Sequence, residues 1–343
     1  MIVQRSTKRA TISDVARLAG VSIATVSRVL NGTAPVAEET VHSVNSAITA
    51  LDYAPHAAAR TLAGRRTDTI GLLLPEISGA FFSPLIRGIE HRAREAGFDL
   101  LIHTTANRPQ EVDRIQMPLD EHNTDGLLVF TDRLGVDSLA RFHTRGFPLV
   151  LLFRSAPAHL DIPVVTLENK AGAASVVEHL IVAHSCQRIA FLAGPPGNED
   201  SNWREAGYRE ALRAHGIADD PTLHGLGNFD NQTAQATVQQ WLRQGLQFDA
   251  IFAGDDEAAL GAILALNQAG KRTPEDVAVV GFDDVPFAHL TSPKLTTVRA
   301  PIEMAGQQAA AMLIAMIQGD EVERLALLPT EMVIRQSCGC SSV

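Results

Sequence analysis

A short stretch near the amino end carries residues suited to reading the edges of DNA bases. On a helix in this stretch, the outward positions are Ile23, Ala24, Ser27 and Arg28. A guanidinium such as that of Arg28 can make a bidentate contact to a guanine, worth about 1–3 kcal/mol of discrimination between bases. Ile23 and Ala24 offer apolar contact, for example to a thymine methyl group. This set of side chains predicts a contact in the major groove.

Three short helices would have to hold that surface in place. Thr11 and Asp14 have the spacing of a capping box, and apolar residues recur at helical spacing through residues 12–19. Gly20 ends this first helix, because glycine adopts the left-handed conformation that a sharp turn between helices needs. Ser22 is a good N-cap for the second helix.

The second helix ends at Asn31-Gly32, and a third helix is predicted over Glu38–Leu51. A helix, a glycine-containing turn and another helix form the order of a helix-turn-helix. Ser22 and Thr25 are suited to binding phosphate, which positions the second helix without reading the base sequence. A plain three-helix bundle without a ligand is the alternative.

A predicted hinge helix follows at residues 55–64. Pro55 suits a helix start and Gly64 a helix end. The segment is too short to be a stable helix alone in water, so we expect it to fold when something packs on it. Leu62 is its one large apolar residue, and it would suit a wedge between base steps in the minor groove. The alternative is a linker with Leu62 docked on the rest of the protein.

Charge is distributed unevenly along the chain. The net charge is −10, yet residues 1–66 hold eight basic and four acidic residues, so this head is +4 and the remainder −14. A small basic head on an acidic body is typical of a head that meets a polyanion. A merely solvated charged surface is the alternative.

The chain resembles the lactose-repressor (LacI/GalR) family of bacterial transcription regulators in the run ATISDVARLAGVSIATVSRVLNG at residues 10–32 and in residues 53–64. The similarity extends from Thr11 to about Gln336. It implies a homodimer on a pseudo-palindromic double-stranded DNA operator, with hinge helices ordered by DNA and Leu62 opening the central base step. His56 stands where the family usually has Asn. The predicted DNA-binding residues are Thr11, Ser22, Ile23, Ala24, Thr25, Ser27, Arg28, Asn31, His56, Ala59 and Leu62.

After the hinge, short apolar runs alternate with helical stretches, which predicts parallel sheets with crossover helices. The candidate strands are residues 69–74, 98–104, 126–130 and 148–153 in a first set, and 164–167, 188–193, 250–253 and 277–282 in a second. The pattern breaks near residues 161–163 and then restarts. A last helix at 301–317 and a last strand at 328–335 remain.

We therefore predict an N-terminal all-α helix-turn-helix domain at 1–53, a hinge helix and linker at 54–66, and an α/β effector-binding and dimerisation domain at 67–343. The resemblance implies that this last domain is periplasmic-binding-protein-like, with two doubly wound parallel-sheet lobes joined by three crossings. Lobe 1 is predicted at about 67–162 plus 296–326, and lobe 2 at about 163–295 plus 327–337.

Ligands in open α/β sheets lie beyond the carboxyl ends of the strands, so the residues that follow each strand are the candidates for a binding site. Aromatic faces with a few charged groups there would suit a sugar or sugar derivative. The family alignment favours as effector-binding residues Phe81, Phe82, Arg154, Arg204, Phe229, Asp255 and Asp283.

Each of these residues also has a plainer interpretation. Phe81 and Phe82 could belong to the core, Asp255 could cap a helix, and Arg204 could be a solvated helix charge. Phe153 stands before Arg154, at a position where many sugar-binding family members carry Asp or Asn.

Enzyme and metal chemistry find no support in the motifs. The sequence has no Walker loop, no G-x-S-x-G and no H-E-x-x-H, so we expect no catalytic residues and no cofactor. His179 and His184 are five apart and do not share one helical face. Cys338-Gly-Cys340 lies in a polar tail without a partner pair, so no metal site is expected.

The remaining composition argues for a cytoplasmic protein. No apolar run approaches the roughly 18 residues of a membrane helix. The first residues are polar and basic, unlike a secretory signal, and three Cys are too few for a disulfide framework. The alternatives to an effector-controlled repressor are a periplasmic-type binding protein without DNA function and a nucleotide-using enzyme on the same lobes.

Overall fold

The computed structural model describes residues 10–31, 34–53, 66–105, 119–131 and 134–341. The chain divides into two units, Met1–Thr67 and Asp68–Val343. Of the predicted DNA-binding residues, His56, Ala59 and Leu62 lie outside the described residues.

The first unit contains the three helices that the sequence predicts: α1 (Ile12–Ala19), α2 (Ile23–Asn31) and α3 (Glu38–Leu51). The capping box at the start of α1 is present, since the Asp14 amide donates to Thr11 Oγ1 and the Thr11 amide to Asp14 Oδ2. Gly20 ends α1 with a φ of 70°. The helices are held together by a small apolar core of Val15, Ala16, Val26, Val44 and Ala47.

In the described part of the second unit, two parallel sheets each define one lobe. In lobe 1 the sheet has the order β11-β5-β4-β3-β1-β2. Its strands and the helices that cover them are β1 (Thr69–Leu74), α4 (Phe82–Glu95), β2 (Asp99–Thr104), β3 (Gly126–Val129), α5 (Val136–Thr144), β4 (Leu149–Leu152), β5 (Val164–Leu167), α10 (Ile302–Gln318) and β11 (Leu325–Leu328).

In lobe 2 the sheet has the order β7-β6-β8-β9. Its elements are α6 (Asn169–His184), β6 (Ile189–Ala193), α7 (Glu199–Ala214), β7 (His224–Leu226), α8 (Asn231–Arg243), β8 (Ala250–Ala253), α9 (Asp256–Gln268) and β9 (Ala278–Val280). Alternate residues of β6 enter two different apolar clusters, with Ile189 and Phe191 in one and Ala190 and Leu192 in the other. The sheet is therefore buried on both faces, as parallel sheets usually are.

A third, two-stranded sheet joins the lobes. It pairs β10 (Thr297–Arg299) with β12 (Glu331–Val333) in antiparallel fashion. Asp284 fastens this crossing ribbon to lobe 2, because it accepts hydrogen bonds from Arg299 Nε at 2.8 Å and from Arg335 Nη2 at 2.6 Å.

The structure corrects the predicted boundary between the lobes. The strand Val164–Leu167, predicted to open lobe 2, pairs with β4 and β11 in the sheet of lobe 1. The break at residues 161–163 is a connection within lobe 1, and the chain crosses only after Leu167. The single last strand predicted at 328–335 is wrong as well. It is two strands, β11 and β12, separated at Pro329, which has no amide hydrogen to extend a ladder.

Among the described residues, no helix is both long and apolar enough to cross a bilayer.

In lobe 1, α4 and α10 approach each other so closely that a Cβ on Gly88 would lie 2.1 Å from the carbonyl oxygen of Glu303. The contact is reciprocal, since a Cβ on Gly306 would lie 2.4 Å from the carbonyl oxygen of Leu85.

We predict that Gly88→Ala destabilises the protein. Alanine is favoured over glycine in a helix interior by about 1 kcal/mol, but the added methyl group forces two backbones apart, and overpacking typically costs about 1–3 kcal/mol. Urea denaturation followed by circular dichroism measures the change, with the exposed Ser83→Ala on the same helix as control. An unchanged or higher free energy of unfolding for Gly88→Ala would show that the helices do not meet there.

Candidate functional site

The second helix of the first unit presents the surface that the sequence predicts for DNA. Ile23 is 50% exposed, and Ala24 and Arg28 are also exposed, whereas Val26 on the opposite face is buried. Ser22 caps the helix by accepting a hydrogen bond from the amide of Thr25 at 3.1 Å. The arrangement leaves an arginine and small apolar side chains on one accessible face, and their contact with DNA stays a prediction.

In the second unit, a cavity of about 460 Å³ lies between lobe 1 and lobe 2. Its volume falls within the range of about 300–1,000 Å³ that is usual for small-molecule sites. The structure places all seven predicted effector-binding residues around it: Phe81, Phe82, Arg154, Arg204, Phe229, Asp255 and Asp283. Their contact with a ligand stays a prediction.

The wall from lobe 1 is aromatic. Phe81 and Phe82 lie at the start of α4, Phe130 follows β3, and Phe153 follows β4. Their rings pack edge-on or tilted, with Phe81 and Phe153 centroids 5.6 Å apart and Phe130 and Phe153 centroids 5.0 Å apart. Phe81 and Phe82 pack against the hydrophobic core, as the plainer interpretation predicts, and they also line the cavity.

The wall from lobe 2 is polar and is organised by Arg204. This side chain is only 2% exposed. Its Nε donates to Asn169 Oδ1 at 2.9 Å, its Nη1 to the Gly254 carbonyl at 2.6 Å, and its Nη2 to Asp283 Oδ1 at 2.9 Å. The guanidinium also stacks on the ring of Phe282, with its carbon 3.9 Å from the centroid. Arg204 is therefore a buried, fully positioned cation and not a solvated helix charge.

Arg204 keeps some capacity for a ligand. A guanidinium carries five N–H donors, and the three bonds above engage three of them. Within the part of the chain that the structure describes, the other two are left for an acceptor in the cavity. A desolvated cation at this place would bind an oxygen-rich ligand more strongly than the same group in water.

Three buried carboxyl groups surround this cation, and burial raises the pKa of each. The pKa of Asp255 rises to about 8, through burial and then the neighbouring Asp283. That of Asp200 rises to about 7, mainly through burial, although Arg204 opposes the shift. The pKa of Asp283 is also raised by burial and lowered in part by its pairing with Arg204. A carboxyl group that keeps its proton at neutral pH can both donate and accept, as hydroxyl groups of a ligand require.

Asp255 and Asp256, near Arg204, also stabilise the local structure through hydrogen bonds. Asp255 caps α9 by accepting from the Ala258 amide at 2.9 Å, so the capping interpretation and the cavity position both hold. Asp256 accepts from the Val285 amide at 2.9 Å and from Thr297 Oγ1 at 2.5 Å. It therefore ties β10 of the crossing ribbon to α9.

The backbone around the cavity is strained. Of the eight non-glycine residues with positive φ in the described chain, four line the cavity: Phe153, Asn228, Phe229 and Asp283. Such conformations cost about 1–3 kcal/mol each and persist where surrounding structure enforces them, often at binding sites. Their concentration here supports a functional role for the cavity.

One contact connects the two lobes beside the cavity. The Ser155 amide, after β4 of lobe 1, donates to Glu199 Oε2 at 2.7 Å, and the Ser155 hydroxyl donates to the other carboxylate oxygen of Glu199, at the start of α7 in lobe 2. Arg154, which lines the cavity from lobe 1, donates to the Thr131 carbonyl of the same lobe at 2.6 Å. Because Arg204 lines the cavity from lobe 2, a ligand there would meet groups from both lobes.

Sequence reasoning missed several lining residues. Asn198 and Asp200 lie in the turn and helix start that follow β6, and only their position after a strand points to them in the sequence. Phe130 is the last residue of a predicted strand, and nothing else in the sequence points to it. The sequence shows only that Phe153 lacks the polar group many family members have there, whereas in the structure its ring forms part of the aromatic wall.

The expectation that the chain has no metal site stays a prediction, but a second group of side chains removes one of its premises. We call His179, His184, Cys338 and Cys340 the tail cluster. Each of these residues offers one potential metal-ligand atom, and the four atoms lie within 4.8 Å of one another. The premise that Cys338-Gly-Cys340 lacks a partner pair is wrong, because the C-terminal tail folds back onto the end of α6. Histidine spacing along one helix could not show this long-range contact.

Comparison with known proteins gives matches for both units. A family model described as bacterial regulatory proteins, lacI family, matches residues 11–56, and one described as a periplasmic binding protein-like domain matches residues 177–338. The ribose operon repressor of Halalkalibacterium halodurans is 34% identical over 328 residues, covering 95% of this chain and 96% of that protein. The HTH-type transcriptional regulator GalS of Salmonella typhimurium is 36% identical over 311 residues, covering 88% of this chain and 91% of that protein.

Solved structures show the same similarity. A lac repressor dimer bound to operator and the anti-inducer ONPF superposes with a TM-score of 0.79 at 28% identity, covering 96% of this chain and 99% of that one. A complex of the transcriptional regulator CelR with cellobiose has a TM-score of 0.72 at 32% identity, covering 96% of this chain and all of that one (100%).

The raised pKa of Asp255 predicts a pH dependence of stability. Between about pH 4 and pH 8 the Asp255 carboxyl group keeps its proton in the folded state but loses it in the unfolded state. The free energy of unfolding therefore falls as pH rises, by up to about 1.4 kcal/mol per pH unit from this group. Asp255→Asn retains a capping oxygen but cannot ionise. The free energy of unfolding of the wild type, relative to this variant, should therefore decline from about pH 5 to pH 8.

Urea denaturation across this range measures the difference. The control is Asp220→Asn. Asp220 caps the short 3-10 helix Pro221–Leu223, and hydrogen bonds from Thr222 lower its pKa, so it stays ionised throughout the range. If the difference in free energy of unfolding between wild type and Asp255→Asn did not change with pH, Asp255 would already be ionised at about pH 5.

Proposed function

Because this chain belongs to the lacI family of bacterial regulatory proteins, we propose that it is a sequence-specific transcriptional repressor whose affinity for operator DNA is controlled by a small molecule bound between its two lobes. One observation carries the proposal. A single chain contains both a helix-turn-helix with an accessible α2 and a two-lobed body with a polar cavity.

The first unit supplies the contact with DNA. In this role α2 enters the major groove, Arg28 contacts a guanine, and Ile23 and Ala24 meet thymine methyl groups. Ser22 and Thr25 bind phosphates. The full proposed set is Thr11, Ser22, Ile23, Ala24, Thr25, Ser27, Arg28, Asn31, His56, Ala59 and Leu62. The relative solved on its operator is a dimer, and we propose that this chain likewise acts as a homodimer on a pseudo-palindromic site, in the cytoplasm.

The cavity supplies the contact with the effector, which we propose is a sugar or sugar derivative. Aromatic rings such as Phe81 and Phe82 can stack on the C–H faces of a sugar, while Arg204, Asp255 and Asp283 hold its hydroxyl groups. One similar protein is named a ribose operon repressor, one solved relative is a complex with cellobiose, and another has bound ribose. We assign no catalytic role to these residues, and the relatives named above are regulators.

Control of DNA binding requires the effector to distinguish two arrangements of the lobes. The proposed path starts at Asp283, which contacts Arg204 at the cavity. Its neighbour Asp284 binds Arg299 and Arg335 on the segments that cross between lobes. A ligand that draws the two walls together therefore acts on the crossing ribbon, and through lobe 1 on the point where the head joins the body.

We predict that Arg28→Ala lowers affinity for the native operator by about 5- to 150-fold, because a lost guanine contact is worth about 1–3 kcal/mol. Fluorescence anisotropy with the chain's own upstream region, compared with an unrelated duplex of equal length, measures this effect. Binding to the unrelated duplex should change far less.

The matched control is Arg141→Ala, which removes an arginine from α5 of the body. It should leave affinity for both duplexes unchanged. If Arg28→Ala weakened both duplexes equally, Arg28 would be a phosphate contact. If it weakened neither, α2 would not be the reading helix.

A further inference from the structure

The tail cluster lies where the C-terminal tail meets the last turn of α6 in lobe 2. His184 is the last residue of this helix and His179 lies one and a half turns earlier. Cys340 Sγ is 3.6 Å from His179 Nε2 and 3.4 Å from His184 Nε2. The two imidazole rings are edge to face, with centroids 5.1 Å apart. Sulfur and nitrogen donors thus converge from two separate parts of the chain.

These separations match the edges of a tetrahedral metal site. With metal–sulfur bonds of about 2.3 Å and metal–nitrogen bonds of about 2.0–2.1 Å, tetrahedral angles place sulfur and nitrogen about 3.5–3.6 Å apart. The observed distance to His179 Nε2, 3.6 Å, lies in this range, and the distance to His184 Nε2, 3.4 Å, is just below it. All four donor atoms lie within 4.8 Å of one another, so small side-chain movements suffice to bring them to the distances of a tetrahedral site.

The tail is held in position independently of any metal. The Val279 amide donates to the Ser337 carbonyl at 2.9 Å, and the Ser337 hydroxyl donates back to the Val279 carbonyl at 2.6 Å. The Ser337 hydroxyl oxygen also accepts from the Thr296 amide at 2.8 Å. The residue before the Cys-Gly-Cys turn is therefore fixed to β9, which delivers both cysteines to α6 in a defined register.

Gly339, between the two cysteines, is required by the geometry. Its φ is +110°, a conformation that other residues rarely adopt. A Cβ at this position would also lie 3.1 Å from Cε1 and Nδ1 of His184. Another residue at this position would adopt a strained backbone conformation and press on the His184 ring, so glycine suits the turn that brings Cys340 against the imidazoles.

A neighbouring hydroxyl helps to fix the position of one cysteine sulfur. Thr296 Oγ1 donates a hydrogen bond to Cys338 Sγ at 3.2 Å, and Cys338 is only 2% exposed. Donors of this kind to a coordinating sulfur are typical of the surroundings of metal ligands. The Cys338 thiol in turn donates to the Arg335 carbonyl at 3.6 Å, so its sulfur is held beside the cluster from two sides.

We propose that His179, His184, Cys338 and Cys340 bind one Zn²⁺ ion, which fastens the C-terminal tail to α6. Two thiolates and two imidazoles in a tetrahedral arrangement are the donor set typical of zinc. All four positions are filled by protein, so the site is structural and leaves none open for a reacting molecule. The Cys-x-Cys spacing is one residue shorter than in common zinc fingers, and Gly339 accommodates it. Binding releases the two thiol protons to solvent.

The test uses untagged full-length protein, purified under reducing conditions without chelator. Inductively coupled plasma mass spectrometry should find one zinc ion per chain in the wild type and none in Cys340→Ser or His184→Asn. Cys186→Ala and His215→Asn, which remove a cysteine and a histidine outside the tail cluster, should retain the ion.

A second measurement does not depend on the variants folding. The wild type, stripped of metal and titrated with Co²⁺, should develop the intense visible bands of tetrahedral cobalt and a thiolate-to-cobalt charge-transfer band, saturating at one equivalent. Wild-type protein without zinc that gives only the weak spectrum of octahedral cobalt would overturn the proposal. So would a Cys338–Cys340 disulfide in protein purified without reductant, identified as a linked tail peptide two hydrogens lighter after digestion, because it would take the place of the metal site.

Discussion

The arrangement of lobe 2 depends on the burial of one charge. Arg204 is withdrawn from solvent, and burying a guanidinium is costly unless its charge is paired and it is hydrogen-bonded. Three separate segments pair its charge and accept from three of its five N–H donors: Asn169 at the start of α6, Gly254 after β8, and Asp283 after β9. Because these segments follow three different strands, one side chain sets the spacing of the strand ends that form the polar wall. The left-handed backbone at Asp283 is a cost that this arrangement imposes.

The same constraint connects the cavity to the crossings between lobes. Asn169 begins α6 directly after the first crossing, and Asp284, beside Asp283, holds Arg299 and Arg335 at the other two. A ligand that engages Arg204 therefore acts on a framework that already includes every crossing. Packed interiors of this kind switch between discrete arrangements and do not deform continuously, which is what regulation at a distance requires.

Features set by local chemistry could be predicted from the sequence. The capping box at Thr11, the turn at Gly20 and the strand 69–74 follow from neighbouring residues, and the structure has them at those positions. Features set by distant partners could not. Val164–Leu167 joins lobe 1 because Leu325–Leu328 extends the same sheet, and Cys338 and Cys340 meet histidines far away in the sequence. Within the cavity, strand ends indicated the region, but Phe130 and Asp200 depended on side-chain directions that periodicity does not reveal.

The most direct measurement of the central claim is operator affinity as a function of sugar concentration, for the full chain and for Phe81→Ala. A panel of sugars and sugar acids, first ranked by the rise in melting temperature of the wild type, supplies the ligand. We expect the bound sugar to change the dissociation constant of the operator by about 5- to 150-fold, the range of typical coupling energies. Phe81→Ala should lose this response while its affinity for DNA without sugar stays that of the wild type. A sugar that saturates the wild type and leaves its operator affinity unchanged would contradict the account.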